Sequence, residues 1–197
     1  MKQDQVKPDR RMGPPGSENW HAMLDGAEDI LLEEGHAALT SRRIAERIGV
    51  KQRLVYYYFR TMDDLIVEMF HRRSERELKR LREATGSAHP LGEIWEICVH
   101  STDARLISEF MALASRIEGL RAEVIRFIEE SRAIQVEAIA AALERTSQTS
   151  RIPPPGLAIL ATSVALALSR EEQLGVTSGH AEIMAVINEF LSSVEPG

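Results

Sequence analysis

Between Thr40 and Arg60 the chain carries six basic side chains, Arg42, Arg43, Arg47, Lys51, Arg53 and Arg60, against one acidic one, Glu46. Three consecutive tyrosines, Tyr56, Tyr57 and Tyr58, sit among them. Cations interleaved with hydroxyls and aromatic rings suit a polyanionic partner. Guanidinium and ammonium groups meet phosphate oxygens, while Arg, Lys and Gln can also read base edges. The patch is local: the 197 residues hold 24 Lys+Arg and 30 Asp+Glu, a net charge of −6, of which residues 1–60 contribute +1 and residues 61–197 contribute −7. An acidic body with one basic face excludes a protein coated all over in nucleic-acid-binding charge. On charge alone, a solvated helix face is the competing reading.

Catalytic chemistry finds little to use. The six histidines (His21, His36, His71, His89, His100, His180) are scattered, with no paired metal spacing, and no nucleophile elbow, phosphate loop or dinucleotide turn occurs. Cys98 and His100 are two residues apart, so on a helix they point in different directions. A single cysteine excludes an internal disulfide and a four-thiolate zinc site. An enzyme, a metal and a cofactor are therefore not expected. No apolar run approaches the roughly 18 residues that span a bilayer, and the first 20 residues lack the apolar stretch of a secretory signal. A reduced, cytoplasmic setting without a membrane partner is expected.

The elements that must position the basic patch read as helices throughout. Residues 1–17, with Lys2, Lys7, Arg10, Arg11 and the breaker run Gly13-Pro14-Pro15-Gly16, read as a disordered arm. Trp20, Met23, Leu24, Ala27, Ile30 and Leu31 recur at helical steps, and Gly35 ends that helix. Thr40-Ser41 opens a short helix whose apolar face is Ile44, Ala45 and Ile48, and Gly49 stops it. A third helix runs from about Lys51 to Phe59, so the pair must cross sharply. Thr61 with Asp64 three residues on opens a fourth helix over 63–83. Further apolar stripes follow Pro90, then run through Leu106 to Ala114, through 120–143 (Val124, Phe127, Ile128, Ile134, Ile139), through 156–174 and through 180–194. The fold class is all-α, about nine helices, divided into an N-terminal domain over 18–62 that carries the basic patch and a bundle over 63–197.

The stretch Thr40-Ser41-Arg42-Arg43-Ile44-Ala45, the turn Ile48-Gly49-Val50, and Tyr56-Tyr57-Tyr58-Phe59 with Leu65 six residues on resemble the helix-turn-helix of the TetR (tetracycline-repressor) family. Independently of the name, Ala45 is small where a second helix crosses, and Gly49 readily supplies a left-handed turn. A rigid pair of this kind lays its second helix in the major groove. Lys51, Gln52 and Arg53 then begin the recognition helix, with Gln52 suited to adenine and Lys51 or Arg53 to guanine.

The resemblance implies that Arg42 reaches a base from the second helix. It also implies that Thr40, Ser41, Tyr56, Tyr58 and Arg60 contact phosphates, with Arg43 in the same DNA-binding face. Tyr57 is placed to pack on a thymine methyl. For Tyr58, phosphate contact and packing within the domain stand side by side. Two departures from the family pattern are evident: Lys51 and Arg53 stand where the family has a capping Ser or Thr and a small residue, and Met62 stands where it commonly has lysine. Losing the cap costs about 1 kcal/mol.

For the bundle, the resemblance implies a pocket for an inducer of unknown identity and pairing with a second copy through the helices at 156–174 and 180–194. The pocket candidates are Trp95, Cys98, His100, Phe110, Met111 and Phe127. The implied function is a ligand-released regulator, usually a repressor, that binds double-stranded DNA bearing an inverted repeat. A helical protein-interaction module that has lost DNA binding is the alternative.

Overall fold

In the computed structural model, residues 16–100, 104–147 and 149–195 are described. The expected arm lies outside them as far as residue 15. Among the described residues there is no strand, and the elements are helices joined by short turns. The chain divides into two compact units, one up to Leu65 and one from Ile66.

In the first unit, α1 (Glu18–Glu34) buries Trp20, Met23, Leu24, Ala27, Ile30 and Leu31, the stripe expected from their spacing. Gly35, at φ 80°, ends it with its N–H on the Leu31 carbonyl at 3.2 Å. A single 3₁₀ turn, His36–Ala38, follows; three residues are too few to show a period. Thr40 caps α2 (Ser41–Ile48) by accepting from the Arg43 N–H at 3.2 Å. Gly49 leaves α2 in the left-handed conformation (φ 71°, ψ 30°), and the Val50 N–H closes the turn on the Ala45 carbonyl at 2.9 Å. The helix α3 (Gln52–Tyr58) follows after only three residues. Its N-cap is Lys51, which supplies no side-chain cap.

Close packing locks α1 to α2. Gly26 is buried on α1, and a Cβ placed there would stand 2.9 Å from the Ile48 methyl Cγ2. Ile44, Ala45 and Val55 are buried, and Trp20 stacks on Phe59 with ring centroids 6.3 Å apart. Thr61 and Asp64 form a reciprocal cap, each side chain accepting from the other's backbone N–H at 3.0 Å. They start α4 (Met62–Ala84).

The second unit contains the body of α4, then α5 (Pro90–His100), α6 (Ala104–Ala114), α7 (Glu118–Thr146), α8 (Pro154–Gln173) and α9 (His180–Val194). The long helix α7 runs beyond the expected 120–143, ending at Ser147 in the left-handed conformation. It packs against α5, α6, α8 and α9. Phe70 of α4 meets Phe110 and Phe127 edge-on, with centroids 5.0 and 6.0 Å away. Near the C-terminus, Glu195 turns its carboxylate onto the first free N–H groups of α5, Leu91 at 2.8 Å and Gly92 at 3.0 Å. One expectation changes. Ile128, placed on the buried side of α7, is 41% exposed. The apolar helix α8 is only partly covered within one chain: Ala158, Ala165 and Leu168 are buried, while Ile159, Leu160 and Leu166 are exposed.

Candidate functional site

Around α3, buried apolar groups hold the helix from below and polar groups stand above it. Val55 is 1% exposed and Phe59 4%, while Tyr56 and Tyr57 are 51% and 50% exposed. Gln52, Arg53, Lys51 and Arg60 are exposed as well. The residues expected to read bases are thus turned outward rather than into the core.

The six cations of the patch fall into two groups. Arg43 forks onto Glu34 of α1 with contacts of 2.8–3.2 Å, and Arg47 reaches Glu33 at 2.7 Å and Glu34 at 3.0 Å. Hydrogen bonds from Arg47 hold the Glu33 carboxyl below its ordinary range, and those from Arg43 do the same for Glu34. Arg42 pairs with Glu46 one turn on at 2.8 Å, with its side chain 80% exposed. Lys51, Arg53 and Arg60 have no side-chain partner among the described residues. Three unpaired cations therefore flank the two exposed tyrosines of α3, and the cations bound to carboxylates lie on α2.

One position, Ser41, differs from the sequence expectation, and at Tyr58 the structure shows the packing alternative. Ser41 is 4% exposed, so it does not face a phosphate; its hydroxyl accepts from the Gln52 amide at 2.9 Å and donates to the Tyr56 hydroxyl at 3.0 Å. It is the junction that joins α2 to α3. Tyr58 packs within the unit, its hydroxyl 2.9 Å from Ser17 Oγ and its ring against Tyr57 and Phe59. Thr40 is spent on its cap but remains exposed. Met62 is half-buried in the first turn of α4.

Residues 23–69, which contain this whole arrangement, match the model of the bacterial regulatory proteins of the tetR family. Over these residues the chain is similar to the regulatory proteins of the tetR family. Comparison with curated proteins gives no match. Solved structures of similar fold include a TetR transcription regulator from Haloarcula marismortui (18% identity, 88% of this chain and 96% of that one, TM-score 0.73). They also include Escherichia coli NemR in its reduced form (17%, 86% and 95%, TM-score 0.73). Salmonella enterica GusR is a third (15%, 93% and 100%, TM-score 0.68). At these identities the likeness is one of fold, and it extends over both units of the chain.

The second unit holds a cavity of about 330 Å³ between α5, α7, α8 and α9. Trp95 and Cys98, both named from the sequence, line it. The other four candidates do not. His100 is exposed beside Glu96 at 3.0 Å, Met111 is 50% exposed, Phe110 is 1% exposed in solid core, and Phe127 is engaged with Phe70. Gln135 was missed. It lines the cavity at 7% exposure, and its carbonyl accepts from the Thr162 hydroxyl at 3.0 Å. Its signal was available: Gln135 lies one turn before Ile139, on the buried stripe of α7. Burial pushes the Cys98 thiol up to about 11, helped by the charge of Glu77, so it is a neutral wall group.

Beside this core, Arg126 of α7 binds Glu75, Glu123 and Glu130 at 2.8–3.0 Å, and Glu123 also meets His71 Nδ1 at 2.9 Å. Among the described residues no three His, Cys, Asp or Glu side chains gather as metal ligands do, and no helix is long and apolar enough to cross a membrane.

Proposed function

We propose that this chain is a ligand-responsive transcriptional repressor that binds an inverted-repeat DNA operator as a homodimer in the cytoplasm. The observation that carries the reading is the set of unpaired cations Lys51, Arg53 and Arg60 around the exposed Gln52, Tyr56 and Tyr57. Base-edge contact comes from Gln52 and Arg53. Lys51, Arg60 and Tyr56 bind phosphates and set the register. Arg42, tied only by an exposed pair worth little in water, swings to the DNA readily.

The dimer reading is supported by α8 and α9. Ile159, Leu160 and Leu166 of α8 and Val186 of α9 are between 36% and 58% exposed. A second copy covering these helices buries that apolar surface, and two-fold pairing of the same patch is the usual route to a closed dimer. Two copies of α3 then address half-sites one helical turn, about 34–36 Å, apart. Ligand taken into the second unit favours a different spacing of the two α3 helices and releases the operator. α4 is the covalent link that carries this shift, since it begins in the first unit and continues in the second.

Selection from random-sequence duplexes, followed by gel shift of the selected DNA across a salt series, tests the proposal. An inverted repeat is expected, with affinity falling steeply as salt rises, because displaced counterions are released from each neutralised phosphate. Selection that yields no enriched sequence, with salt-insensitive binding, favours the protein-interaction module instead.

A further inference from the structure

The cavity between α5, α7, α8 and α9 has a chemistry that narrows its ligand. No charged side chain lines it, and its walls are mainly Leu, Ile, Val and Ala from four helices. An ion entering such a space loses its water with no counter-charge in return. The polar groups are few and of one kind. Trp95 is 6% exposed, lines the cavity, and its indole N–H has no acceptor and no exposure to solvent. Buried donors are nearly always paired, so an orphan N–H on a residue that lines the cavity points to a partner that arrives with a ligand. Gln135 adds a second donor. Its carbonyl is taken by Thr162, and one amide N–H has only the Cys98 sulfur, a weak acceptor at 3.8 Å. The volume, about 330 Å³, lies at the small end of the roughly 300–1,000 Å³ of small-molecule pockets.

We propose that this cavity binds an uncharged, mainly apolar small molecule with one hydrogen-bond acceptor (a ketone, ester or ether), which takes the indole N–H of Trp95. The inference rests on the ligand-responsive reading above and names the class of molecule that reading requires. In the empty cavity the N–H is closed to solvent, so seating the acceptor requires the indole of Trp95 to turn toward the ligand. The thiol of Cys98 remains a packing group and forms no bond to the ligand.

Calorimetric titration of the full chain at pH 8 with 4-phenyl-2-butanone, butylbenzene and 4-phenylbutanoate tests it. The ketone is expected to saturate one site per chain at least about tenfold more tightly than the carboxylate, which has no counter-charge in the site. Trp95→Phe is expected to weaken the ketone roughly two- to tenfold, the loss of one hydrogen bond. Butylbenzene, which has no acceptor, should lose less than the ketone does, and the circular dichroism of the variant shows that it is folded. Ala161→Phe fills the cavity and is expected to abolish both. The inference is overturned by a carboxylate that binds as tightly as the ketone, by equal losses of ketone and hydrocarbon in Trp95→Phe, or by no saturable binding of either neutral probe to the unaltered chain. Gel shift on the same protein keeps the two readings apart. DNA bound without any neutral probe sinks this inference alone. A neutral probe bound with no sequence-selected DNA sinks the regulator and leaves the cavity assignment standing.

Discussion

Gln52, the first residue of α3, donates its side-chain amide to the buried hydroxyl of Ser41, the first residue of α2, across 2.9 Å. The same hydroxyl donates to Tyr56 at 3.0 Å. One small side chain thus fixes two exposed groups on α3 against α2. Gln52 keeps its carbonyl and a second N–H, the pair that adenine recognition uses.

Ser41→Ala is therefore expected to weaken binding to the selected operator while leaving the salt slope unchanged, since no phosphate contact is removed. The domain itself should lose about 1 kcal/mol, a typical net hydrogen-bond contribution. Urea unfolding and a salt-series gel shift on the same variant check both halves.

Substitutions of the unpaired cations separate reading from positioning. Arg53→Ala is expected to cost about 1–3 kcal/mol on the selected operator and to relax preference at one base pair, whereas Arg60→Ala weakens all sequences alike and lowers the salt slope by about 1. Competition gel shifts against single-base operator variants distinguish the two patterns.

Gly26→Ala sets two effects against each other. Alanine favours a helix over glycine by about 1 kcal/mol, but its Cβ would lie 2.9 Å from Ile48 Cγ2, and overpacking costs about 1–3 kcal/mol. The branched Ile48 methyl cannot swing aside freely, so packing wins and the domain is destabilised. Gly26→Ala combined with Ile48→Ala removes the steric conflict. Thermal unfolding should show the single variant lowered, with no clash term left in the double variant when compared with Ile48→Ala alone.

How much of this was readable from the residues alone depended on how local the cause was. Thr40, Gly49 and the Thr61–Asp64 pair act within one turn, and the structure places each as its type and spacing suggested. The apolar stripe of α1 is similarly local. Ser41 and Tyr58 were harder, because both lie near an exposed surface and only the crossing of α2 and α3, or the return of Ser17, decides which way they face. The cavity was harder still. Periodicity identifies the side of a helix that is covered, not whether the space opposite is filled, so Phe110 and Trp95 look alike in the sequence. Only the packing of α5 against α8 separates them. The Glu195 cap on α5 joins positions 104 residues apart and had no local signal.

Acid should loosen the α4–α7 contact first. Burial raises the Glu123 carboxyl, but hydrogen bonds from His71 and Arg126 outweigh it and hold the group below its ordinary range. A depressed carboxyl contributes stability that is present above its unfolded value, about 4.3, and is lost as pH falls through the lower folded value. Melting temperature is expected to fall more steeply below about pH 4.5 in the unaltered chain than in Glu123→Gln, which lacks that titration. Parallel slopes would contradict the assignment.

The account turns on α3 lying in the major groove, and methylation interference reads that contact directly. Guanines of the selected operator are methylated at N7, an atom exposed only in the major groove, and bound and free DNA are compared for the unaltered chain and Arg53→Ala. The account predicts interference in two half-sites about one helical turn apart, with the guanine read by Arg53 dropping out in the variant. Interference confined to adenine N3 in the minor groove, or an N7 pattern identical in both proteins, would contradict it.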